Sequence, residues 1–339
     1  MMNKYSTGRP RRQQKRRTGV VGATGYAGQE LLNRLARHPG VELVAAMSSG
    51  RSTSLNPLPD AAVRVADLAP AYTGALTCTP ASVAAMQEAG AEFVFLATPP
   101  EVSTEWVEGL PEAVQVVDLS GAYRFRDDVV YGWPEKNRTA IETARVVSNP
   151  GCYATAALTA LWPLVKAGIV ESDGIICDAK SGASGAGKGL RADLHFVDLE
   201  SNCKAYSVFT HRHAPEITRH AGMAGDAAAS FIFTPHLLPT TRGILATHYL
   251  RLAPGVEAAA IAAAYDSAYA AEPFVRVRGT RLPELRDVNH TNYCDVGWIV
   301  RGRQVVVVTS LDNLVKGAAG QALQNFNLMT GWPEATALL

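Results

Sequence analysis

Between Gly19 and Leu35 the chain reads GVVGATGYAGQELLNRL. A short β-branched strand (Gly19 to Val21) runs into Gly22, Gly25 and Gly28, and an amphipathic helix follows with Leu31, Leu32 and Leu35 on its apolar face. Few folds accommodate this order. Glycines three apart let the backbone turn tightly and let the helix pack directly on the strand. The unit predicts the opening of a parallel α/β sheet, with a helix N-terminus whose unpaired N–H groups face an anion such as a pyrophosphate. The spacing is G-x-x-G-x-x-G rather than the more familiar G-x-G-x-x-G.

The next strand, Val41 to Met47, ends in SSGRS, where NAD sites usually carry an acid for the ribose 2′-hydroxyl. Ser48, Ser49 and Arg51 suit a 2′-phosphate instead, so the pattern favours NADP(H); a plain turn is the competing reading. FVFLATPP (Phe93 to Pro100) and AVQVVDLS (Ala113 to Ser120) read as further buried strands. Strands separated by helical stretches imply a sheet covered on both faces, and the first domain should close near Pro150.

A chain of 339 residues supports two domains, and 47% apolar content with a net charge of +1 fits a globular enzyme. No apolar run reaches the roughly 18 residues of a membrane span. Five cysteines without paired spacing, and no secretory signal, point to a reducing cytoplasm. The sequons at Asn137 and Asn289 are then accidental. Residues 1–17 are basic and read as a disordered tail, with a nucleic-acid arm as the alternative.

Chemistry concentrates in four places. SNPGCYATAALTAL puts Cys152 at a helix entrance, where unpaired N–H groups and the helix dipole favour thiolate. VFTHRHAPEI supplies His211, His213 and Glu216. In an extended stretch the two histidines share a face, and the acid could fix a tautomer. Zinc ligation and ordinary surface histidines are the alternatives; no second metal-spaced cluster accompanies them. DAKSGASGAGKGLR offers Ser181 and Lys188 on a loop able to form an anion nest. In DLSGAYRFRD, Arg124 presents a fork for phosphate or carboxylate, whereas Arg126 and Asp128 look like a solvated pair.

These segments, with TPHLLPTTRGIL, NYCDVG and LDNLVKGAAGQALQNFNLM, run in one order from Thr18 to about Gly331. Together they resemble the N-acetyl-γ-glutamyl-phosphate reductases of the aspartate-semialdehyde-dehydrogenase-like group. The resemblance implies a Rossmann-type parallel-sheet NADP-binding domain (18–150 plus 311–339) and an α+β catalytic and dimerisation domain (151–310). It implies NADPH-dependent reduction of an acyl phosphate in arginine biosynthesis, a homo-oligomer, and no metal. Carried over, Cys152 is the nucleophile and His211, His213 and Glu216 its acid/base set; which histidine takes the proton is open, with His211 preferred.

The backbone N–H of Cys152 and the Asn149 amide would receive the oxyanion. Arg124, Ser181 and Lys188 would hold phosphate. Gly22, Thr24, Gly25, Tyr26, Gly28, Ser48, Ser49 and Arg51 would hold the cofactor, with Asn313 and Gly317 at its nicotinamide end. Leu311, Val315, Ala318, Ala322 and Phe326 predict a helix there. Two rivals stand beside this: the same chemistry on an acetylaminoadipyl phosphate, and a non-catalytic NADP-binding protein.

Overall fold

The computed structural model describes residues 14–48 and 63–339. Its strands form two sheets. The first contains β1 (Arg16–Val21), β2 (Val41–Met47), β3 (Val63–Arg64), β4 (Thr77–Thr79), β5 (Phe93–Leu96), β6 (Gln115–Asp118), β7 (Val130–Tyr131) and β8 (Val146–Ser148). They lie in the order β3-β4-β2-β1-β5-β6-β8-β7, parallel except at the β3/β4 edge. From β1 the chain moves to β2 on one side and later returns to β5 on the other. The ends of β1 and β5 therefore flank the topological switch point, where open α/β sheets hold ligands.

The second sheet contains β9 (Ile176–Gly182), β10 (Lys204–Ala205), β11 (Ile232–Leu238), β12 (Ile244–Arg251), β13 (Val275–Gly279), β14 (Cys294–Arg301) and β15 (Gln304–Leu311). Its order is β10-β11-β9-β12-β15-β14-β13, mostly antiparallel. One face is covered by the helix Cys152–Lys166, from which Leu158, Leu161 and Leu164 join Phe233, Val296 and Val307 in one core.

The chain then returns. After β15 a π-helical turn, Val315–Ala319, leads into the helix Gly320–Thr330, whose Leu323 and Phe326 pack with Phe93, Phe95 and Val117 under the first sheet. Two local expectations change. The first strand starts at Arg16 rather than Gly19, because Arg17 is held by the carbonyls of Ala89 and Gly90. Residues 16 and 17 therefore belong to the sheet and not to the basic tail, whose first 13 residues lie outside the described ones. Leu311 ends a strand rather than starting a helix, since the return crossing needs the Asp312–Leu314 corner, where Asp312 Oδ1 accepts the N–H of Leu314 at 2.8 Å. Among the described residues no helix is long and apolar enough to cross a membrane.

Candidate active site

A cleft of about 800 Å³ runs from the glycine turn to Cys152, walled by the carboxyl ends of the first sheet's strands and by strand ends and loops of the second domain. At its first end Gly22 has φ +81°, and a Cβ there would collide with the carbonyl of Ala97. A Cβ on Gly28 would meet the Gly22 carbonyl and lie 2.8 Å from Ala23 Cα. Only glycine fits either position. Gly25 caps the helix Tyr26–Leu35 with backbone alone, and no acid sits in its first turn. Thr24, Tyr26 and Ser48 line the same end. An uncapped helix entrance inside a cradle that a Cβ would fill suits a dinucleotide pyrophosphate. Ser49 and Arg51 lie outside the described residues.

Cys152 is the first residue of its helix, entered through Gly151. Gly317, on the π turn, comes so near that a Cβ there would lie 2.7 Å from Cys152 Cβ. Here the electrostatics reverse the expectation. Burial pushes the Cys152 thiol above its ordinary pKa, outweighing the Tyr153 backbone N–H and the charges of Arg124 and Arg212. A helix entrance lowers a thiol's pKa only where desolvation is small. Burial therefore opposes the helix entrance at this sulfur and favours the neutral thiol.

Two imidazoles, both held neutral, line the same cleft. The residues around them are not extended: His213 opens the helix His213–Ala221, with Pro215 tolerated in the first turn. The rings still converge, their centroids 4.8 Å apart, because the His213 N–H donates to His211 Nδ1 at 3.1 Å. That bond leaves the His211 proton on Nε2. Desolvation first, then Arg212, lowers the His211 pKa to about 4. Burial and Arg124 hold His213 well below the ordinary imidazole value. Its Nδ1 is buried without a partner, and its Nε2 lies over Gly151, where a Cβ would strike it.

Glu216 does not fix a histidine tautomer. Its Oε2 accepts from Arg124 Nη1 at 3.1 Å, and its Oε1 accepts from Tyr131 Oη and the Gly151 N–H, both at 2.8 Å. The acid thus anchors the loop entering the Cys152 helix. Arg124 is correspondingly occupied: Nε donates to the Asn149 carbonyl at 3.0 Å and Nη2 to the Leu119 carbonyl at 3.2 Å. Its charge is balanced by Glu216, which leaves it a poor phosphate holder. The Asn149 amide is likewise occupied, donating to the Ala318 carbonyl at 3.3 Å and accepting from Asn325 at 3.1 Å. It ties the helix entrance to the π turn instead of facing an oxyanion.

The remaining candidates divide between the two ends. Ser181 lines the cleft near Cys152, its hydroxyl donating to the Gly182 carbonyl at 3.0 Å. Lys188 reaches across to the first domain, its Nζ 3.4 Å from the Thr24 carbonyl at the glycine-turn end of the cleft. The Asn313 amide joins the Gly243 N–H at 2.8 Å to Ser184 Oγ at 2.9 Å, and so fixes the loop that carries Lys188. Arg126 and Asp128 form a solvent-exposed pair. Sequence reasoning missed Tyr153, Tyr206 and Arg212, which line the cleft, and Tyr131 behind it. Each of the first three is a near neighbour in sequence of Cys152 or the histidines, which was the available signal.

Fold and site together define a two-domain oxidoreductase of the semialdehyde dehydrogenase type. Residues 17–144 match the semialdehyde dehydrogenase NAD-binding domain, and residues 152–313 match the semialdehyde dehydrogenase dimerisation domain. Aspartate semialdehyde dehydrogenase II from Vibrio cholerae has the same fold, with a TM-score of 0.69 and 17% identity over 94% of this chain and 99% of that one. The NADP-bound aspartate semialdehyde dehydrogenase of Candida albicans superposes with a TM-score of 0.68 at 16% identity, covering 93% and 99%.

The chain belongs to the N-acetyl-γ-glutamyl-phosphate reductase family. It is 40% identical to the reductase of Geobacillus stearothermophilus across 94% of this chain and 96% of that protein. With the reductase of Symbiobacterium thermophilum it shares 40% identity over 95% and 97%.

Proposed function

We propose that this protein reduces N-acetyl-γ-glutamyl phosphate to N-acetylglutamate 5-semialdehyde, releasing phosphate, as a step of arginine biosynthesis. The observation that carries the reading is one cleft lined by a glycine-turn cradle, by Cys152 and by two converging imidazoles. The family's name supplies the substrate.

His213 is the base, in place of His211. The Nδ1 lone pair of His211 is already taken, whereas His213 is unbonded and overlies the residue before Cys152. His213 takes the thiol proton as Cys152 Sγ bonds to the acyl carbon. The Cys152 N–H and the Nε2–H of His211 stabilise the oxyanion. The C–O bond to phosphate breaks, the proton leaves with phosphate, and a thioester remains. NADPH, when bound, supplies the hydride. The C–S bond then breaks, the aldehyde forms, and a proton taken up from solvent is relayed through His213 to the sulfur.

The glycine turn and the helix Tyr26–Leu35 hold the pyrophosphate, with Lys188 beside Thr24 closing over it from the second domain. Ser48, directly after β2, lines the cleft where the 2′-phosphate of NADP(H) would sit, and the SSGRS stretch carries no acid to repel it. Gly317 leaves room for the nicotinamide end next to Cys152. Five free cysteines suit a reducing cytoplasm.

The chain acts as a homodimer through the open face of the second sheet. There Ile299, Val306, Tyr249, Ile176 and Ile232 fall in one cross-strand row, with Tyr249 and Ile299 about half exposed. The match to a dimerisation domain supports a second copy as the occupant. The functional reading is tested by phosphate-dependent oxidation of N-acetylglutamate semialdehyde. Turnover should be much faster with NADP than with NAD, and faster than with the one-methylene-longer acetylaminoadipate semialdehyde, a difference worth about 1–3 kcal/mol in a fitted pocket. Equal specificity constants for the two aldehydes would overturn the substrate assignment.

A further inference from the structure

An acyl phosphate brings a phosphoryl dianion to the sulfur, yet the residues most easily assigned to it are spoken for. Five cationic side chains line the cleft: Arg124, Lys188, Arg191, Lys204 and Arg212. Arg124 is balanced by Glu216. Arg191 and Lys204 share Asp193 at 2.8 and 3.3 Å. Lys188 lies on the Thr24 carbonyl at the cofactor end. Arg212 alone among the five has no hydrogen bond or ion pair to any described residue.

Its position fits the vacancy in the charge arrangement. Arg212 stands between the two imidazoles in sequence, at the entrance of the helix His213–Ala221, with its side chain exposed to the cleft. It lines the same cleft as Cys152, His211 and His213, and its charge acts to lower the pKa of all three. A planar fork with five donors matches phosphate oxygens in pairs. The phosphate that leaves is bonded to the very carbon that sulfur attacks, so its holder has to sit beside Cys152.

We propose that Arg212 is the residue that binds the substrate's phosphoryl group, and that Arg124 positions the loop entering the Cys152 helix. The assignment rests on the acyl-phosphate reading of the same cleft. It is tested in the aldehyde-oxidising direction, with inorganic phosphate as the varied substrate. Arg212→Gln should raise the KM for phosphate at least tenfold, leaving the KM for N-acetylglutamate semialdehyde and the Kd for NADPH within twofold. Arg212→Lys should recover part of the phosphate KM, since a point charge replaces the fork.

A second readout needs no turnover: phosphate should slow alkylation of Cys152 by iodoacetamide in the native protein and not in Arg212→Gln. If the native protein oxidises no semialdehyde, the functional reading fails, while the protection assay still judges the phosphate site. An unchanged phosphate KM, or protection that survives the substitution, overturns the proposal. So does a rise confined to the semialdehyde KM, which would place Arg212 on the substrate carboxylate.

Discussion

A cysteine's reactivity is set by how far its surroundings favour charge, and here two influences oppose each other at Cys152. The helix entrance and two guanidiniums favour thiolate, but burial wins and the pKa rises. Both imidazoles are held neutral, His211 down to about 4. In the proposed reaction a neutral base and a neutral thiol need no stored ion pair, and the proton moves as the sulfur bonds to carbon. The sign is testable in the unliganded protein. Alkylation of Cys152 should stay slow through neutral pH and climb with pH to a midpoint above that of a free cysteine. A fast plateau between pH 5 and 8 would mean a preformed thiolate, and the general-base account would be wrong.

The Cys152 helix works because of what meets its first turn. Gly151 allows His213 Nε2 and Arg124 Nη1 to approach the backbone, the latter within 2.8 Å of where a Cβ would stand. Glu216 receives its N–H at 2.8 Å. Gly151→Ala should push the imidazole out of line and lower kcat by about 100-fold, the cost of misplacing a catalytic group by roughly 1 Å. The Kd for NADPH should hold, because the cradle is remote. Loss of cofactor binding in parallel would mean that the substitution unfolds the domain instead.

At this scale the sequence was informative where the chain's own period decides the outcome. Strand Val41–Met47, the glycine turn and the Cys152 helix were all readable from local pattern. Partnerships between distant residues were not. Arg124 and Glu216 are 92 residues apart, and only the fold shows that each neutralises the other. The π turn at Val315–Ala319 was hidden for a related reason. Its apolar spacing matches a helix, while its register is dictated by Cys152 packing against Gly317.

In the whole molecule, the two sheets divide the labour and the chain stitches them together. The first provides the dinucleotide cradle; the segments between the strands of the second carry the histidines and, through Lys188, reach back to Thr24. Their cores are separate, and the final helix belongs to the first although it follows the last strand of the second. The second sheet's open row of Ile299, Val306, Tyr249, Ile176 and Ile232 is where a second copy should dock. Burying a carboxylate there without a partner is costly. Tyr249→Glu should therefore halve the mass measured by light scattering at micromolar concentration. An unchanged mass would move the interface elsewhere.

In the proposed reaction Cys152 carries the acyl group between loss of phosphate and arrival of hydride. Mixing the protein with N-acetyl-γ-glutamyl phosphate in the absence of NADPH, then quenching in acid and mapping peptides by mass spectrometry, tests it directly. One N-acetylglutamyl group should appear on Cys152, discharge to the aldehyde when NADPH is added, and be absent from Cys152→Ser. Turnover with no adduct on that residue, or an adduct that NADPH cannot discharge, would rule out a Cys152 thioester intermediate.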